Sequence, residues 1–391
     1  MVRVNDLLVI PLAGHGRRFK SEGYALPKQM LKVDEFTTLE HSLKSVNLKE
    51  YETFFVLRED QEFLANFISE LCSPFDFKIV YIDRETRGSV ETVLELEHLV
   101  NPESKMSIFT LDVTFSPTYN SDVFGDSADG GLLTFKSNSP NYSYAKLSID
   151  GFVTETAEKI AISENALVGV YFFRKAVFFF QFARQMIQDE NVSAGEFYIA
   201  PLYNYLIASG LEIKSTPVDE FYVFGTPREY EFYKNQINVS LGKKTIGLCA
   251  DHSGYETKNE IHNILRELKI NYIDYGTYSH KDCDYNEVVN LAAEGLLARE
   301  VDFVIGSCRS GQGISIASSA HKGVISAVIY DLYSAEFSIK HNCANFVSVP
   351  SVIWSDSNKL RTLVNILIST RFEGGRHQER LMKVFDVKNH A

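Results

Sequence analysis

Cysteine is scarce in this chain, and its spacing forms no pairs. The 391 residues include five cysteines, an odd number spread far apart with no C-x-x-C motif: Cys72, Cys249, Cys283, Cys308 and Cys343. Disulfide frameworks and zinc ribbons both depend on paired cysteines, so this spacing excludes both classes. We therefore expect the protein to work in a reducing cytoplasm.

Long apolar runs and an excess of positive charge are missing as well. The most apolar later stretch, Ala166 to Phe182, is interrupted by Arg174 and Lys175, so we expect no segment to span a membrane. The chain starts with a short apolar run and no small-residue cleavage pattern, which is typical of a first strand and not of a signal peptide. Lys and Arg number 39 against 51 Asp and Glu, and the net charge of −12 repels nucleic acid and anionic membranes. Any phosphate ligand must then be held by a local site.

The composition that is present is that of an ordinary globular protein. Hydrophobic residues make up 45% and charged residues 23% of the chain, and its length predicts two or three domains. In the first half, helices are predicted over 39–46 and 60–71, and apolar runs predict buried parallel strands at 7–12, 53–57, 77–82 and 107–111. The first half is therefore predicted to be α/β.

A polar stretch from Tyr233 to Lys244 interrupts this pattern and precedes a fresh apolar strand. We predict a boundary near residue 240, with domains at 1–240 and 241–391. After the boundary, strands are expected at 245–250, 270–274, 301–306 and 324–329, alternating with helices over 254–268, 286–299, 333–340 and 358–369. This alternation predicts a second α/β domain with a doubly wound parallel sheet.

A glycine-containing loop follows the first predicted strand. It reads Leu12-Ala13-Gly14-His15-Gly16-Arg17-Arg18-Phe19, and Lys28 adds a second positive charge after Pro27. Glycine lets backbone amides approach a polyphosphate closely, and the cationic side chains neutralise it. An ordinary strand-to-helix turn with surface basic residues also contains Gly-x-Gly, so the loop alone does not decide between the two interpretations.

Together with Gly23-Tyr24 and Pro27-Lys28, this loop resembles the signature of sugar-phosphate nucleotidyltransferases. These enzymes condense a nucleoside triphosphate with a sugar phosphate and release pyrophosphate. Further segments resemble the family in order: Thr86-Arg87-Gly88-Ser89-Val90-Glu91-Thr92-Val93-Leu94, Glu158-Lys159, Gly195-Glu196-Phe197-Tyr198 and Gly225-Thr226-Pro227. The resemblance covers residues 5 to about 235 and implies the Rossmann-like fold of that family.

The resemblance implies a role for particular residues of this chain. Arg18 and Lys28 would clamp the triphosphate, Asp112 would hold Mg²⁺, and Lys159 and Glu196 would bind the sugar phosphate. The nucleotide itself would contact Leu12, Ala13, Gly14, His15, Gly16, Thr86 and Gly88. Many relatives carry a second metal-binding aspartate where this chain has Val223. Simpler interpretations stay open: Asp112 as a turn former, Lys159 as a solvated charge and His15 as an exposed loop histidine.

A second candidate site centres on Cys308, at the end of the strand predicted over 301–306. The loop Ser307-Cys308-Arg309-Ser310-Gly311-Gln312-Gly313 offers a thiol beside backbone amides that can stabilise a developing oxyanion. Asp251-His252 ends the first strand of the same domain. Because ligands of parallel sheets bind at the carboxyl ends of strands, we expect these two loops to be neighbours. A cysteine at a strand end is also commonly a core residue.

These loops, with His341-Asn342 and Phe372-Glu373-Gly374-Gly375-Arg376-His377-Gln378, resemble type B ribose-5-phosphate isomerase and the galactose-6-phosphate isomerase subunits. The resemblance spans residues 244 to about 385 and implies aldose-ketose isomerisation through an enediolate. Cys308 would move the proton, Ser310 and His341 would assist ring opening, and other residues would hold the sugar phosphate: Asp251, His252, Tyr285, Gly311, Gly313, Asn342, Arg376 and Arg380. Arg309 and Cys343 depart from the usual Cys-Gly-Thr-Gly and His-Asn-Asp patterns.

Both resemblances together predict a bifunctional enzyme of nucleotide-sugar synthesis. One domain would interconvert a pentose 5-phosphate, and the other would transfer a nucleotidyl group from CTP, in the supply of surface polysaccharide. Type B isomerases build their active site across a two-fold interface, so the resemblance also predicts a homodimer or a larger assembly. The alternative is a nucleotidyltransferase whose second domain only senses sugar phosphate or dimerises; a protein that merely binds its ligands would need both sites to be inactive.

Overall fold

The computed structural model describes residues 6–193, 195–237 and 244–390. The chain divides into two compact units, Met1–Glu231 and Phe232–Ala391, which we call the N-terminal and C-terminal units and describe separately. The predicted domain boundary near residue 240 lies outside the described residues. No helix in the described ranges is both long enough and apolar enough to cross a membrane.

The N-terminal unit is a mixed α/β structure. Its helices are α1 (Arg17–Ser21), α2 (Thr38–Leu43), α3 (Glu62–Cys72), α4 (Ser89–Leu94), α5 (Ala176–Gln188), α6 (Ile199–Ala208) and α7 (Pro227–Phe232), the last of which ends in the C-terminal unit. Its strands are β1 (Asp6–Pro11), β2 (Tyr51–Arg58), β3 (Phe77–Ile82), β4 (Met106–Phe109), β5 (Val113–Ser116), β6 (Gly130–Lys136), β7 (Ser143–Leu147), β8 (Val153–Glu158), β9 (Asn165–Phe173), β10 (Ile213–Pro217) and β11 (Glu220–Val223).

The main sheet of this unit has the strand order β10-β6-β9-β4-β1-β2-β3; β7 also pairs with β9, and β8 pairs with β7. Strands β4, β1, β2 and β3 are parallel to one another, whereas β9 is antiparallel to β4 and β6. Apolar clusters cover both faces of the sheet. This explains why β1 and β2 are nearly continuous apolar runs, as strands buried on both faces require. The carboxyl ends of β1, β2 and β4 lie at one edge, where the candidate site is found.

The structure corrects two details of the N-terminal prediction. Strand β3 is the edge strand and is only partly buried, because one of its sides has no neighbouring strand. The helix predicted over 39–46 is shorter, Thr38–Leu43, and begins at a capping box in which Thr37 and Glu40 satisfy each other's backbone amides. The later strands β6 to β11 and helices α4 to α6 had no counterpart among the predicted elements.

The C-terminal unit is a doubly wound sheet of five strands in the order β13-β12-β14-β16-β15, all parallel. The strands are β12 (Ile246–Ala250), β13 (Tyr272–Asp274), β14 (Phe303–Cys308), β15 (Ser326–Val328) and β16 (Phe346–Pro350). The helices are α8 (Tyr255–Glu267), α9 (Tyr285–Leu297), α10 (Gln312–Ser319), α11 (Leu332–Lys340), α12 (Ser357–Ser369) and α13 (Arg376–His390). The predicted doubly wound parallel fold is therefore confirmed.

Three elements of this unit were not predicted. Strand β16 has only five residues and carries Ser348 at its centre, so its apolar signal is short. Helix α10 has the sequence QGISIASS, in which Gly, Ser and β-branched residues disfavour a helix, and tertiary packing decides instead. Helix α13 has a low mean hydropathy and follows the Gly374-Gly375 pair.

Candidate active sites

The predicted phosphate loop follows β1 at the carboxyl edge of the N-terminal sheet. Strand pairing continues to the backbone N–H of Leu12, which donates to the carbonyl of Val56 at 2.8 Å. Gly16 then adopts a φ of 61°, a left-handed conformation that favours glycine, and α1 begins at Arg17. Gly14 is exposed, and no Cβ placed on it would touch another atom. The loop borders an open pocket of about 280 Å³.

Lys28 and Asp112 meet in this pocket. The ammonium of Lys28 donates to Oδ2 of Asp112, and both side chains are about one-quarter exposed, at 23% and 25%. Asp112 follows β4 with a φ of 66°, after Leu111 with a φ of 52°. Non-glycine residues seldom adopt this left-handed conformation, and they concentrate at functional sites. The strand end therefore presents one carboxylate and one ammonium beside the phosphate loop.

The Gly225-Thr226-Pro227 motif reaches the same carboxylate from the end of β11. The N–H of Phe224 donates to the carbonyl of Asp112 at 2.9 Å, and a Cβ on Gly225 would lie 3.5 Å from Asp112 Oδ2. Val223, at the place of the second aspartate of many relatives, is a buried strand residue. A different acidic residue, Glu229, lies in the first turn of α7, where burial raises its pKa and the charge of Asp112 adds to that rise.

Arg18 is exposed on α1, and its side chain does not line the pocket that contains Lys28 and Asp112. The positive charge of Arg18 lowers the pKa of Glu229 and so opposes the effect of burial. His15 Nε2 lies 2.9 Å from Glu85 Oε1, and the guanidinium of Arg17 lies 3.0 Å from the same oxygen. Glu85 thus connects the phosphate loop to the segment that leads into Thr86.

The predicted nucleotide loop at Thr86 to Gly88 packs against the predicted sugar loop. The N–H of Phe197 donates to the carbonyl of Arg87 at 2.7 Å, and the N–H of Val90 donates to the carbonyl of Phe197 at 3.1 Å. Gly88 has a φ of 129°, and a Cβ there would lie 2.6 Å from the carbonyl oxygen of Phe197. Only glycine permits this approach, so the two loops form one continuous wall.

Lys159 extends this wall. It has a φ of 56°, and its ammonium donates to the hydroxyl of Tyr198 at 2.9 Å. That hydrogen bond is the largest cause of a raised Lys159 pKa, so the side chain stays positively charged. Neighbouring Glu158 is partly buried, which raises its pKa, and its carboxylate accepts a hydrogen bond from the Ser143 hydroxyl. Glu196 is exposed on the same segment as Tyr198. Tyr198 was not among the predicted site residues, although it belongs to the quoted Gly195-Glu196-Phe197-Tyr198 motif.

In the C-terminal unit, Cys308 lies at the carboxyl end of β14. The prediction that the Cys308 loop lies next to the Asp251 loop is confirmed. The N–H of Asp251 donates to the carbonyl of Ser307 at 3.2 Å. A Cβ on Gly254 would lie 2.0 Å from that same carbonyl oxygen, so only glycine fits there. Asp251 is buried and accepts from the N–H of Gly254 at 2.9 Å. The thiol and this carboxylate are therefore held by adjacent strand ends.

The other residues predicted around Cys308 gather at the same edge. His252 Nδ1 lies 3.0 Å from Asp282 Oδ1, in the loop before α9. The ring of Tyr285, at the start of α9, lies 2.9 Å from where a Cβ on Gly313 would stand. Gly311 has a φ of 76° at the start of α10, and its carbonyl accepts from the Ser348 hydroxyl at 2.6 Å. Ser310 is exposed, and so is Arg309, which departs from the usual Cys-Gly-Thr-Gly pattern.

We call the residues just described the carboxyl-edge group: Asp251, His252, Tyr285, Cys308, Ser310, Gly311 and Gly313.

Behind them lies a buried ion pair that the sequence did not reveal. The Lys258 side chain is 1% exposed. Its ammonium donates to both carboxylate oxygens of Asp274 at 2.7 Å and to the carbonyl of Thr277 at 2.6 Å. It fixes the loop after β13, whose backbone at Thr277 bonds Ala250, the residue before Asp251.

The remaining predicted residues form an amino-edge group: His341, Asn342, Arg376 and Arg380, together with His377 and Glu373. His341 Nε2 lies 3.3 Å from Glu373 Oε2, and the rings of His341 and His377 stack with centroids 4.1 Å apart. Burial, followed by the charges of His341 and the two arginines, lowers the pKa of His377 to about 4. His341, Asn342, His377 and Arg380 line a pocket of about 250 Å³. Cys343 is buried with a φ of 50°.

The two groups lie at opposite edges of one sheet. Cys308 pairs with Pro350 at the carboxyl end of β16, whereas His341 precedes the amino end of that strand by five residues. Helix α11 produces this placement, because a helix joining two parallel strands returns the chain to the amino edge. The five residues of β16 span about 13 Å at roughly 3.3 Å per residue. Cys308 and His341 of one unit therefore do not share a catalytic centre.

Comparison with known proteins places the C-terminal unit in a family. The family model described as ribose/galactose isomerase matches residues 246–384. Ribose-5-phosphate isomerase B of Escherichia coli is 35% identical over 146 residues, which are 37% of this chain and 97% of that protein. The chain belongs, through this segment, to the ribose/galactose isomerase family. Another relative, ribose-5-P isomerase B of Listeria innocua, is 29% identical over 37% of this chain and 98% of its own length.

The N-terminal part of this isomerase-family chain is similar to a different kind of enzyme. A crystal structure of a nucleoside-diphosphate-sugar pyrophosphorylase from Vibrio cholerae is 31% identical, with a TM-score of 0.54. The similarity covers 59% of this chain and 100% of that one. The chain is accordingly a fusion of a nucleotidyltransferase-like part with a type B isomerase-like part, as the sequence resemblances predicted.

Proposed function

We propose that the protein is a bifunctional enzyme that interconverts an aldose and a ketose phosphate and transfers a nucleotidyl group to a sugar phosphate. The observation that carries the proposal is the convergence of Lys28, Asp112 and Gly225 on one glycine loop. The similarity of the N-terminal part to a nucleoside-diphosphate-sugar pyrophosphorylase supports the same reaction class. We propose that the sugar phosphate is a pentose 5-phosphate and that the nucleotide is CTP. We also propose that the protein works in the cytoplasm and that its product is used for surface polysaccharide.

In the nucleotidyl transfer, a phosphate oxygen of the sugar phosphate attacks the α-phosphorus of the triphosphate. The bond to the β-phosphate breaks, and pyrophosphate leaves with the electron pair. Lys28 and the free amides of the phosphate loop stabilise the leaving pyrophosphate, and Lys159 holds the incoming phosphate. Arg18, exposed on α1, is proposed to reach the triphosphate when it binds.

Asp112 fits a magnesium site, because Mg²⁺ is commonly bound by one or two carboxylates together with substrate phosphates. Bound there, Mg²⁺ would offset the repulsion between the two reacting phosphate groups. Lys28 now forms the ion pair with Asp112, so the Lys28 ammonium must turn from this carboxylate to the phosphates when nucleotide enters. Val223 supplies no second carboxylate, so Asp112 and the substrate phosphates would hold the metal.

In the isomerisation, the Cys308 thiolate removes the proton from C2 of the open-chain aldose and returns it to C1. The hydroxyl proton moves between O1 and O2, so that the enediolate collapses to the ketose. Amides of the loop at 309–313 face the developing negative charge. His341 and Ser310 assist ring opening, and Arg376 and Arg380 bind the phosphate.

This assignment requires a homodimer, since the carboxyl-edge and amino-edge groups are separated within one chain. In a two-fold dimer, Cys308 of one copy meets His341 of its partner copy, and the symmetry produces two equal sites. The alternative function, a nucleotidyltransferase whose C-terminal unit is inactive, is favoured by Arg309 in the Cys308 loop and by Cys343 in place of the aspartate of the usual His-Asn-Asp.

A mass-spectrometric product screen tests the proposal. Purified protein is incubated with Mg²⁺, each common nucleoside triphosphate, and pentose and hexose phosphates in aldose and ketose forms. A new nucleotide-sugar mass, reached from both forms of one sugar, is the expected result. The C308A variant should reach it from only one form. If the wild type interconverts no sugar phosphate, the isomerase assignment is wrong; if no triphosphate gives pyrophosphate, the transferase assignment is wrong.

A further inference from the structure

Two side chains beyond the predicted site residues hold the backbone of the phosphate loop from behind. Arg58 ends β2 and is 8% exposed, and its guanidinium donates to the carbonyl oxygen of Ala13. Gln61, three residues later, donates from Nε2 to the carbonyl oxygen of Leu12 at 3.0 Å. These two consecutive carbonyls lie immediately before Gly14, where the loop leaves the strand.

The guanidinium and the amide are themselves fixed. Asp60 Oδ2 accepts from a terminal nitrogen of Arg58 at 3.1 Å, and Asp60 Oδ1 lies 2.9 Å from Arg58 Nε. The backbone N–H of Arg58 donates to Gln61 Oε1 at 2.8 Å, which orients the Gln61 amide. A carboxylate against one edge of the planar guanidinium fixes its orientation, so the other terminal nitrogen is directed at the Ala13 carbonyl.

Because Arg58 and Gln61 bind these two carbonyl groups, the carbonyl oxygens are kept away from the pocket. A carbonyl oxygen turned toward a phosphate would repel it, whereas an N–H attracts it. Among the described residues, the structure records no hydrogen bond donated by the backbone N–H of Ala13, Gly14, His15 or Gly16. Of these residues, Gly14, His15 and Gly16 line the pocket, where backbone N–H groups without a protein acceptor are available to bind an anion.

We infer that Arg58 and Gln61 are positioning residues for the nucleotide: by binding the Leu12 and Ala13 carbonyls, they keep the loop amides directed at the triphosphate. This rests on the proposed nucleotidyltransferase function and extends it, because Arg58 contacts the loop and not the reacting atoms. The loss of either contact should weaken triphosphate binding more than it slows the chemical step.

The functional test compares R58M, R58K and Q61L with R184M, a matched control in which an exposed arginine on α5 loses one carboxylate partner. R58M should raise the KM for the triphosphate about 10- to 100-fold with a smaller fall in kcat, Q61L should raise it about 3- to 10-fold, and R58K should lie between R58M and the wild type. R184M should match the wild type. Equal falls in kcat for all substrates, with an unchanged KM for the triphosphate, would overturn the inference.

A second measurement reports on the loop without any substrate. The sequence contains two Ala-Gly peptides, Ala13-Gly14 and Ala194-Gly195. Protein labelled with ¹³C-carbonyl alanine and ¹⁵N-glycine therefore gives two carbonyl-amide correlations in a TROSY-HNCO spectrum. R58M should move the Ala13 carbonyl signal upfield and leave the other in place, as expected when a carbonyl loses its donor. An unmoved Ala13 signal in folded R58M would overturn the inference, whereas a moved signal in a protein that releases no pyrophosphate would overturn only the proposed reaction.

Discussion

The two candidate sites differ in how much of each a single chain supplies. In the N-terminal unit, the phosphate loop, Lys28, Asp112 and Gly225 come together at one sheet edge. In the C-terminal unit, the carboxyl-edge and amino-edge groups lie at opposite edges of one sheet. Both sets of residues follow strands or helices of α/β units. Residues that follow the carboxyl ends of parallel strands meet at one edge of the sheet, whereas residues that follow the connecting helices lie at the other edge. Whether such residues meet therefore depends on the kind of element that they follow.

The largest expected effect separates the two sites. D112N should reduce pyrophosphate release by about 1,000-fold or more, because it removes the carboxylate that we propose as the metal ligand, and it should leave aldose-ketose interconversion unchanged. Pyrophosphate release is measured with a coupled phosphatase assay and interconversion by chromatography of sugar phosphates. Loss of both activities in folded D112N would show that the sites are not independent.

The reciprocal change is C308A, which should abolish interconversion to the background rate and leave pyrophosphate release intact. The physical reason is that the proposed isomerisation uses the Cys308 thiol to move the proton, and alanine has no group that can do so. C249A, at a buried cysteine of β12, is the control and should keep interconversion. If C308A still interconverts sugar phosphates, Cys308 is a core residue and another base acts.

The strands nearest to these sites were predictable because parallel strands buried on both faces are continuous apolar runs, as in β1, β2, β12 and β14. The phosphate loop and the Cys308 loop were found for the same reason, since each follows such a strand. The amino-edge placement of His341 was not predicted, because β16, whose start defines that edge, was not recognised: Ser348 interrupts its apolar run and Pro350 ends it.

Other site residues were missed because their partners are distant in sequence. Arg58 bonds Ala13, 45 residues away, and Lys159 bonds Tyr198, 39 residues away. A charged residue at the end of an apolar strand, such as Arg58, is the only local signal, and it is equally typical of a surface turn. Glycine requirements at Gly88 and Gly254 likewise arise from backbone approach by other segments.

A smaller effect concerns the sugar-phosphate end of the N-terminal site. Y198F removes the hydroxyl that accepts from the Lys159 ammonium at 2.9 Å. Losing this charge-assisted hydrogen bond should raise the KM for the sugar phosphate about 3- to 10-fold, with the KM for the triphosphate unchanged. Y205F, a tyrosine on α6 whose hydroxyl accepts from Asn191, is the control. Equal shifts in both constants would mean that Lys159 does not bind the sugar phosphate.

The smallest expected effect is on stability as a function of pH. Burial and the charges of His341, Arg376 and Arg380 lower the pKa of His377 to about 4, whereas the unfolded chain protonates this histidine near 6.5. Between these values the unfolded state binds more protons, so stability falls as the pH drops from about 6.5 toward 4. In thermal unfolding at pH 7 and pH 5, H377N should lose less stability than the wild type. H98N, at an exposed histidine, should follow the wild type; a pH dependence of H377N identical to the wild type would contradict the assignment.

The central claim, that one chain completes the first site but only half of the second, is tested most directly with mixed dimers. C308A and H341A chains carrying different tags are coexpressed, and assemblies containing both are purified through each tag in turn. If the second site is shared, one of the two sites in the mixed dimer has both residues intact, so interconversion should recover to about half of the wild-type rate, while each variant alone stays inactive. A mixed assembly as inactive as its parents, or a chain that remains monomeric yet interconverts sugar phosphates, would contradict the account.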